Sequence, residues 1–126
     1  MDKKAKILVV DENNEERARI VRGIIGAGYA SVDEARDGAE AISKIAKEDY
    51  EVVVTDLWLS GLDGIGIIKN TGMVRPEKRP SFILMSPVNK QSLLLEASNA
   101  GADFCILKPI DCALLVNYIE SLLTEK

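Results

Sequence analysis

The chain has 126 residues, 47% of them hydrophobic, which suits one compact core and is short for two, so residues 1–126 are read as a single domain. A net charge of -4, with no stripe of Lys and Arg, argues against direct contact with nucleic acid, because a phosphate backbone would be repelled. With no His, and with Cys105 and Cys112 outside any CxxC pattern, zinc sites and His-based triads are excluded, and both thiols read as reduced and structural.

No apolar run approaches membrane-spanning length, and residues 1–6 carry charge without a signal-peptide core, so a cytoplasmic location with no membrane contact is expected. Lys6 to Val10 reads as an apolar strand stopped by Asp11 and Glu12. Asn13 and Asn14 are cap residues for a helix through Ala27, with Ala18, Val21 and Ile25 on one face and Gly26 and Gly28 at its exit. Tyr29 to Ala35 alternates as a second strand. Asp37 and Gly38 turn into a helix that places Ala41, Ile42, Ile45 and Ala46 inward and closes near Asp49.

Val52 to Asp56 is a β-branched run that suits a strand buried on both faces of a parallel sheet, with Asp56 at its carboxyl end. Ligands of open α/β sheets bind at that edge. The alternative role for a loop Asp is to cap the next helix, but Asp63, directly before the following apolar residues, fits the cap better. Asp56 is therefore free for function. Ile65 to Thr71 predicts a short helix weakened by Gly66 and Gly72, and Met73 to Pro80 a polar connection that includes Pro76.

Ser81 to Met85 predicts a fourth strand, ending at Ser86 and Pro87. Asn89 is the expected cap of a helix through Ala100 that Gly101 closes. Asp103 to Leu107 is the fifth strand, ending at Lys108 and Pro109, and Asp111 caps a last helix whose inward stripe is Leu114, Leu115, Tyr118, Ile119 and Leu122.

Five strands alternating with five helices define a doubly wound, flavodoxin-like parallel sheet. Its carboxyl rim would gather Asp11, Glu12, Asp56, Ser86 and Lys108. Taken singly, each has an ordinary reading as a solvated loop acid, a helix cap or a surface charge. Together, three clustered carboxylates would repel one another, and the set favours an all-oxygen site for a divalent cation, Mg²⁺.

These residues carry a family resemblance. The motifs ILVVDE from Ile7, GYxxVxxAxDGxEA from Gly28 to Ala41, VVVTDLWLSGLDG around Asp56 and AGADFCILKP ending at Pro109 occur in this order from end to end of the chain. The chain resembles the receiver domain of bacterial response regulators in two-component phosphorelays. That resemblance implies strand order 2-1-3-4-5, an order that the response-regulator example of this fold class shares.

It also implies that Asp56 is the phosphoacceptor, supplied by a sensor histidine kinase or a phosphotransfer protein. Asp11, Glu12, Asp56 and the backbone carbonyl of Trp58 would hold Mg²⁺, and Lys108 would meet a phosphoryl oxygen. Ser86 would be the hydroxyl that moves onto the phosphoryl group, and Lys108–Pro109 a cis bond with the Lys108 ammonium facing Asp56. Such a domain is not a conventional enzyme, although it assists its own phosphorylation and dephosphorylation. The face formed by its fourth helix, fifth strand and last helix would relay the signal and offers a possible homodimer contact.

Four positions depart from the family pattern. Glu12 stands where a directly ligating Asp is usual, Ser60 where Pro is usual, Pro87 where a small residue with a free N–H is usual, and Cys105 where the switch aromatic is usual. Pro87 and Cys105 favour a second reading, a receiver-like interaction module whose switch is weak or independent of phosphorylation. A flavodoxin-type electron carrier is disfavoured, since DENNEE after the first strand would repel phosphate.

Overall fold

The structure is a computed structural model that describes residues 3–75 and 77–124, and only the backbone of Val74. Met1 and Asp2 of the charged opening stretch, and Pro76 of the polar connection, lie outside the described residues. Ten elements alternate along the chain: β1 (Lys6–Val10), α1 (Asn14–Gly26), β2 (Ser31–Ala35), α2 (Gly38–Lys47), β3 (Val52–Asp56), α3 (Gly64–Val74), β4 (Ser81–Ser86), α4 (Gln91–Ala100), β5 (Phe104–Leu107) and α5 (Cys112–Thr124). The strands form one parallel sheet in the order β2-β1-β3-β4-β5.

The unbroken apolar runs follow from this sandwich, since successive strand residues face opposite helical layers. Ile7, Val9, Val52, Val54, Ile83 and Met85 pack on the side of α1 and α5, against Ile20, Ile24, Leu115 and Ile119. Leu8, Val10, Val53, Phe82 and Leu84 pack on the side of α2, α3 and α4, against Ala41, Ile45, Ile67, Ile68 and Ala97. Each such aliphatic side chain, once fully buried, contributes roughly 1.5–3 kcal/mol. The fixed register holds the strand ends level, with Val10 opposite Thr55, Asp56 opposite Met85, and Ser86 opposite Leu107.

Several expected details shift. The inner face of α1 is Arg17, Ile20, Val21 and Ile24, not the stripe through Ala18 and Ile25; Ile25 is exposed because Arg17 takes an inward position and rotates the stripe. Ala46 of α2 and Leu114 of α5 are exposed, so those faces are narrower than predicted. The second strand begins at Ser31 rather than Tyr29, although the Tyr29 ring is buried and lies under the Lys3 ammonium.

Helix α3 runs through both Gly66 and Gly72, past the predicted end at Thr71, because burial of Ile65, Ile67 and Ile68 outweighs glycine's low propensity. Strand β4 includes Ser86. Asn89 does not cap α4: Lys90 holds the N-cap position and makes no side-chain cap bond. The caps at Asn13 and Asp63 form as expected and Asp37, read as a turn residue, caps α2, each accepting a backbone N–H three residues on, and Asp111 accepts those of Ala113 and Leu114. Among the described residues no helix is long and apolar enough to cross a membrane.

Candidate functional site

At the carboxyl rim, β1 delivers Asp11, β3 delivers Asp56 and the turn after β5 delivers Lys108. The Lys108 Nζ lies 2.9 Å from Asp56 Oδ1 and 3.3 Å from Asp11 Oδ2, so one ammonium bridges two carboxylates. Both acids are buried, Asp11 at 1% and Asp56 at 8% exposure, and the Lys108–Pro109 bond is cis.

The electrostatics follow from that enclosure. Burial pushes the Asp56 carboxyl up to about 6, and the neighbouring Asp11 charge adds to the effect while the hydrogen bond from Lys108 opposes it. For Lys108, burial acts to lower the pKa, but the hydrogen bond to Asp56 and the charges of Asp56, Asp11 and Glu16 outweigh it, and the net direction is upward. The pocket thus carries more negative than positive charge.

The loop after β3 is shaped by Gly64. A Cβ there would stand 2.5 Å from the carbonyl oxygen of Asp56, while the Gly64 N–H donates to the carbonyl of Leu57 at 2.9 Å. No larger residue could sit so close behind the Asp56 backbone.

Not every predicted site residue converges. Glu12 is exposed and turned toward the β3–α3 loop, where its Oε2 accepts the Ser60 N–H at 3.0 Å. The expected three-carboxylate cluster is therefore not assembled, and among the described residues no three acidic or Cys side chains are gathered in metal-binding geometry. The extra methylene of Glu relative to Asp supplies the reach, and Ser60 supplies an N–H that Pro would lack.

Ser86 is buried on the same rim, but its hydroxyl is engaged locally: it donates to the Val88 carbonyl at 2.8 Å and accepts the Val88 N–H at 3.1 Å. Pro87 between them is exposed. Trp58 is 57% exposed and lines a groove of about 480 Å³ with Val88, Lys90, Leu93 and Glu96. Cys105 is half-buried against the α2, α3 and α4 layer, where burial pushes its thiol pKa up. Its neighbour Phe104 points the other way and stacks on Tyr118 with ring centroids 4.3 Å apart.

Two residues of α1 that the sequence did not single out complete the surroundings. Arg17, almost fully buried, donates to the Asp11 carbonyl at 2.6 Å, to Glu34 Oε1 at 2.9 Å and to Asn14 Oδ1 at 2.8 Å. Glu16 places Oε2 4.0 Å from Lys108 Nζ, a third carboxylate near that ammonium beside Asp11 and Asp56. At the third position of a capped helix Glu16 could bond back to the Asn13 N–H, but Asp11 Oδ1 already accepts that N–H at 2.9 Å. The one available signal was the Asn-x-x-Glu spacing from Asn13 to Glu16.

The comparisons with known proteins agree with this arrangement. The family model of the response regulator receiver domain matches residues 7–120. Chemotaxis protein CheY-3 of Vibrio cholerae is 31% identical over 123 residues, covering 97% of this chain and 94% of that protein. Transcriptional regulatory protein ResD of Bacillus subtilis is 30% identical over 118 residues, covering 94% of this chain but 48% of that protein. Among structures, a putative response regulator from Chloroflexus aurantiacus J-10-fl superposes with TM-score 0.88 at 25% identity, covering 96% of this chain and 98% of that one. A CheY-like receiver domain protein from Methanospirillum hungatei JF-1 shares the fold with TM-score 0.88 at 24% identity, over 97% of this chain and 95% of that one. With the motifs, the strand order and the Asp11, Asp56 and Lys108 rim in agreement, the chain belongs to the response regulator receiver domain family.

Proposed function

We propose that residues 1–126 act as one phosphoacceptor domain, in which Asp56 takes a phosphoryl group from a phosphohistidine of a sensor histidine kinase or phosphotransfer protein. The observation that carries this reading is the Lys108 ammonium held 2.9 Å from Asp56 Oδ1 inside a buried, net-negative pocket. A carboxylate oxygen of Asp56 forms the new O–P bond as the P–N bond to the imidazole breaks and the leaving nitrogen keeps the electron pair. Lys108, already on that carboxylate, is placed to meet a phosphoryl oxygen and offset the charge developing on it.

The donor set fits a small, hard divalent cation. Asp11 and Asp56 offer oxygens alone, and the single Lys108 ammonium does not balance both carboxylates once they are ionised. Asp11, Asp56 and the Trp58 carbonyl would hold Mg²⁺, with Glu12 as a fourth donor once released from Ser60. The cation supplies neutralisation and orientation of the phosphoryl oxygens.

The output surface is α4, β5 and α5, where Leu95, Leu107 and Leu114 are exposed. That face would serve either a downstream partner or a second copy of the chain, in a cytoplasmic, bacterial setting without direct contact with nucleic acid or membrane. The second reading, an interaction module with a weakened switch, draws on the closed Ser86 to Val88 pair and on Pro87 and Cys105. Intact-mass measurement after incubation with phosphoramidate and Mg²⁺ tests the main reading. One phosphoryl adduct, labile to hydroxylamine and absent in Asp56→Asn, is expected; an adduct at equal level in Asp56→Asn would overturn it.

A further inference from the structure

Glu12 and Ser60 lie on different loops, one after β1 and one after β3, and are joined by a single hydrogen bond from the Ser60 N–H to Glu12 Oε2 at 3.0 Å. Asp11, the residue before Glu12, faces the opposite way, into the pocket with Asp56 and Lys108. Two adjacent acids are thus divided between the pocket and the neighbouring loop. Both halves of the tie depend on residue type: only a side chain with the length of Glu reaches this amide in the observed geometry, and only a residue other than Pro offers the N–H.

We propose that the Ser60 amide is a positioning group that holds Glu12 off the cation pocket, so that divalent cation binding and release of this tie compete. The proposal rests on the reading of the pocket as an Mg²⁺ site. A cation that recruits Glu12 binds only the fraction of molecules in which the tie is open, and its apparent affinity falls by that fraction. A tie closed about nine-tenths of the time weakens binding roughly tenfold, and one closed two-thirds of the time about threefold. The coupling is reciprocal: a bound cation frees the Ser60 amide and loosens the loop that carries Trp58. Occupancy of the pocket would then be reported on the surface, at the groove that Trp58 forms with α4.

The test is Mg²⁺ titration of the whole chain, read by Trp58 fluorescence and by calorimetry, for wild type, Ser60→Pro, Glu12→Ala and the double variant. Ser60→Pro is expected to bind Mg²⁺ about three- to tenfold more tightly than wild type, and to make no difference when Glu12→Ala, which removes both the tie and the extra donor, is also present. Glu12→Asp needs no change in the loop and is expected to gain a similar factor, with no further gain from Ser60→Pro. In metal-free protein the Ser60 amide NMR signal should move on Glu12→Ala, and Mg²⁺ should move the wild-type signal the same way. Equal affinities of wild type and Ser60→Pro, or an equal factor from Ser60→Pro with and without Glu12→Ala, would overturn the competition while leaving the cation site standing. Absence of Mg²⁺ binding in every protein would overturn the site itself, and the competition with it.

Discussion

Lys108 reaches Asp56 and Asp11 together, its Nζ 2.9 Å from one carboxylate and 3.3 Å from the other, so that each acid is paired only by sharing. Removing the ammonium leaves two buried carboxylates facing each other. Lys108→Met is expected to lower stability at pH 7 by about 1–3 kcal/mol, the cost of an uncompensated charge in a partly open site. The loss should shrink toward pH 5, where Asp56 takes up a proton and the repulsion ends. Chemical denaturation at the two pH values checks this, and a loss independent of pH would contradict it.

The raised pKa of Asp56 makes a second prediction, with its sign fixed by linkage. The folded protein holds a proton on Asp56 up to about 6, whereas an unfolded chain releases it near the ordinary value of 3.8. Between those values the folded state binds more protons, so stability falls as pH rises through the window. In metal-free protein Asp56→Asn, which cannot ionise, should be more stable than wild type at pH 7 to 8, by on the order of 1 kcal/mol. The advantage should vanish below about pH 4. Thermal melts in the presence of a chelator, run across that range, would expose an opposite trend.

Arg17 gives a third. Its guanidinium spans the Asp11 carbonyl, Glu34 and Asn14, and so fixes the backbone from which the Asp11 side chain enters the pocket. Arg17→Met keeps much of the aliphatic volume but leaves the Asp11 carbonyl without this donor, at a cost of about 1–3 kcal/mol. A melting temperature equal to that of wild type would show that α1 does not depend on this contact.

Much of this was legible in the chain because parallel strands leave long apolar runs, and an acid or lysine that ends such a run stands out. Asp11, Asp56 and Lys108 were visible in that way. Arg17 was not, because a charged residue one turn into a helix reads as solvent-facing, and its burial depends on Glu34 from β2, remote in sequence. The tie of Glu12 was hidden for a related reason: adjacency to Asp11 suggested that both side chains face the pocket, whereas the Ser60 amide, 48 positions away, holds Glu12 toward the β3–α3 loop. The Asn89 cap failed locally, since the chain enters α4 with Lys90 at the cap position.

The last prediction concerns the switch. A phosphoryl group on Asp56 presents three oxygens, and the rim offers Lys108 for one of them and the Ser86 hydroxyl for another. That hydroxyl is already paired twice with Val88, so it must give up a donor bond of 2.8 Å before it can turn to the phosphoryl group. Pro87 adds no N–H to replace it. A hydrogen bond to a charged acceptor is worth about 1.5–3 kcal/mol, comparable with the coupling energy of many two-state switches. On β5, Cys105 is too small to swing between inward and outward positions as a ring would, and Phe104 is held in its stack with Tyr118. Phosphorylation should therefore shift α4, β5 and α5 only in part. Backbone NMR shifts upon addition of a beryllofluoride mimic should be larger in Pro87→Ala and Cys105→Tyr than in wild type, across Asn89 to Leu123. Saturating shifts in wild type that neither substitution enlarges would show that the switch is complete as it stands.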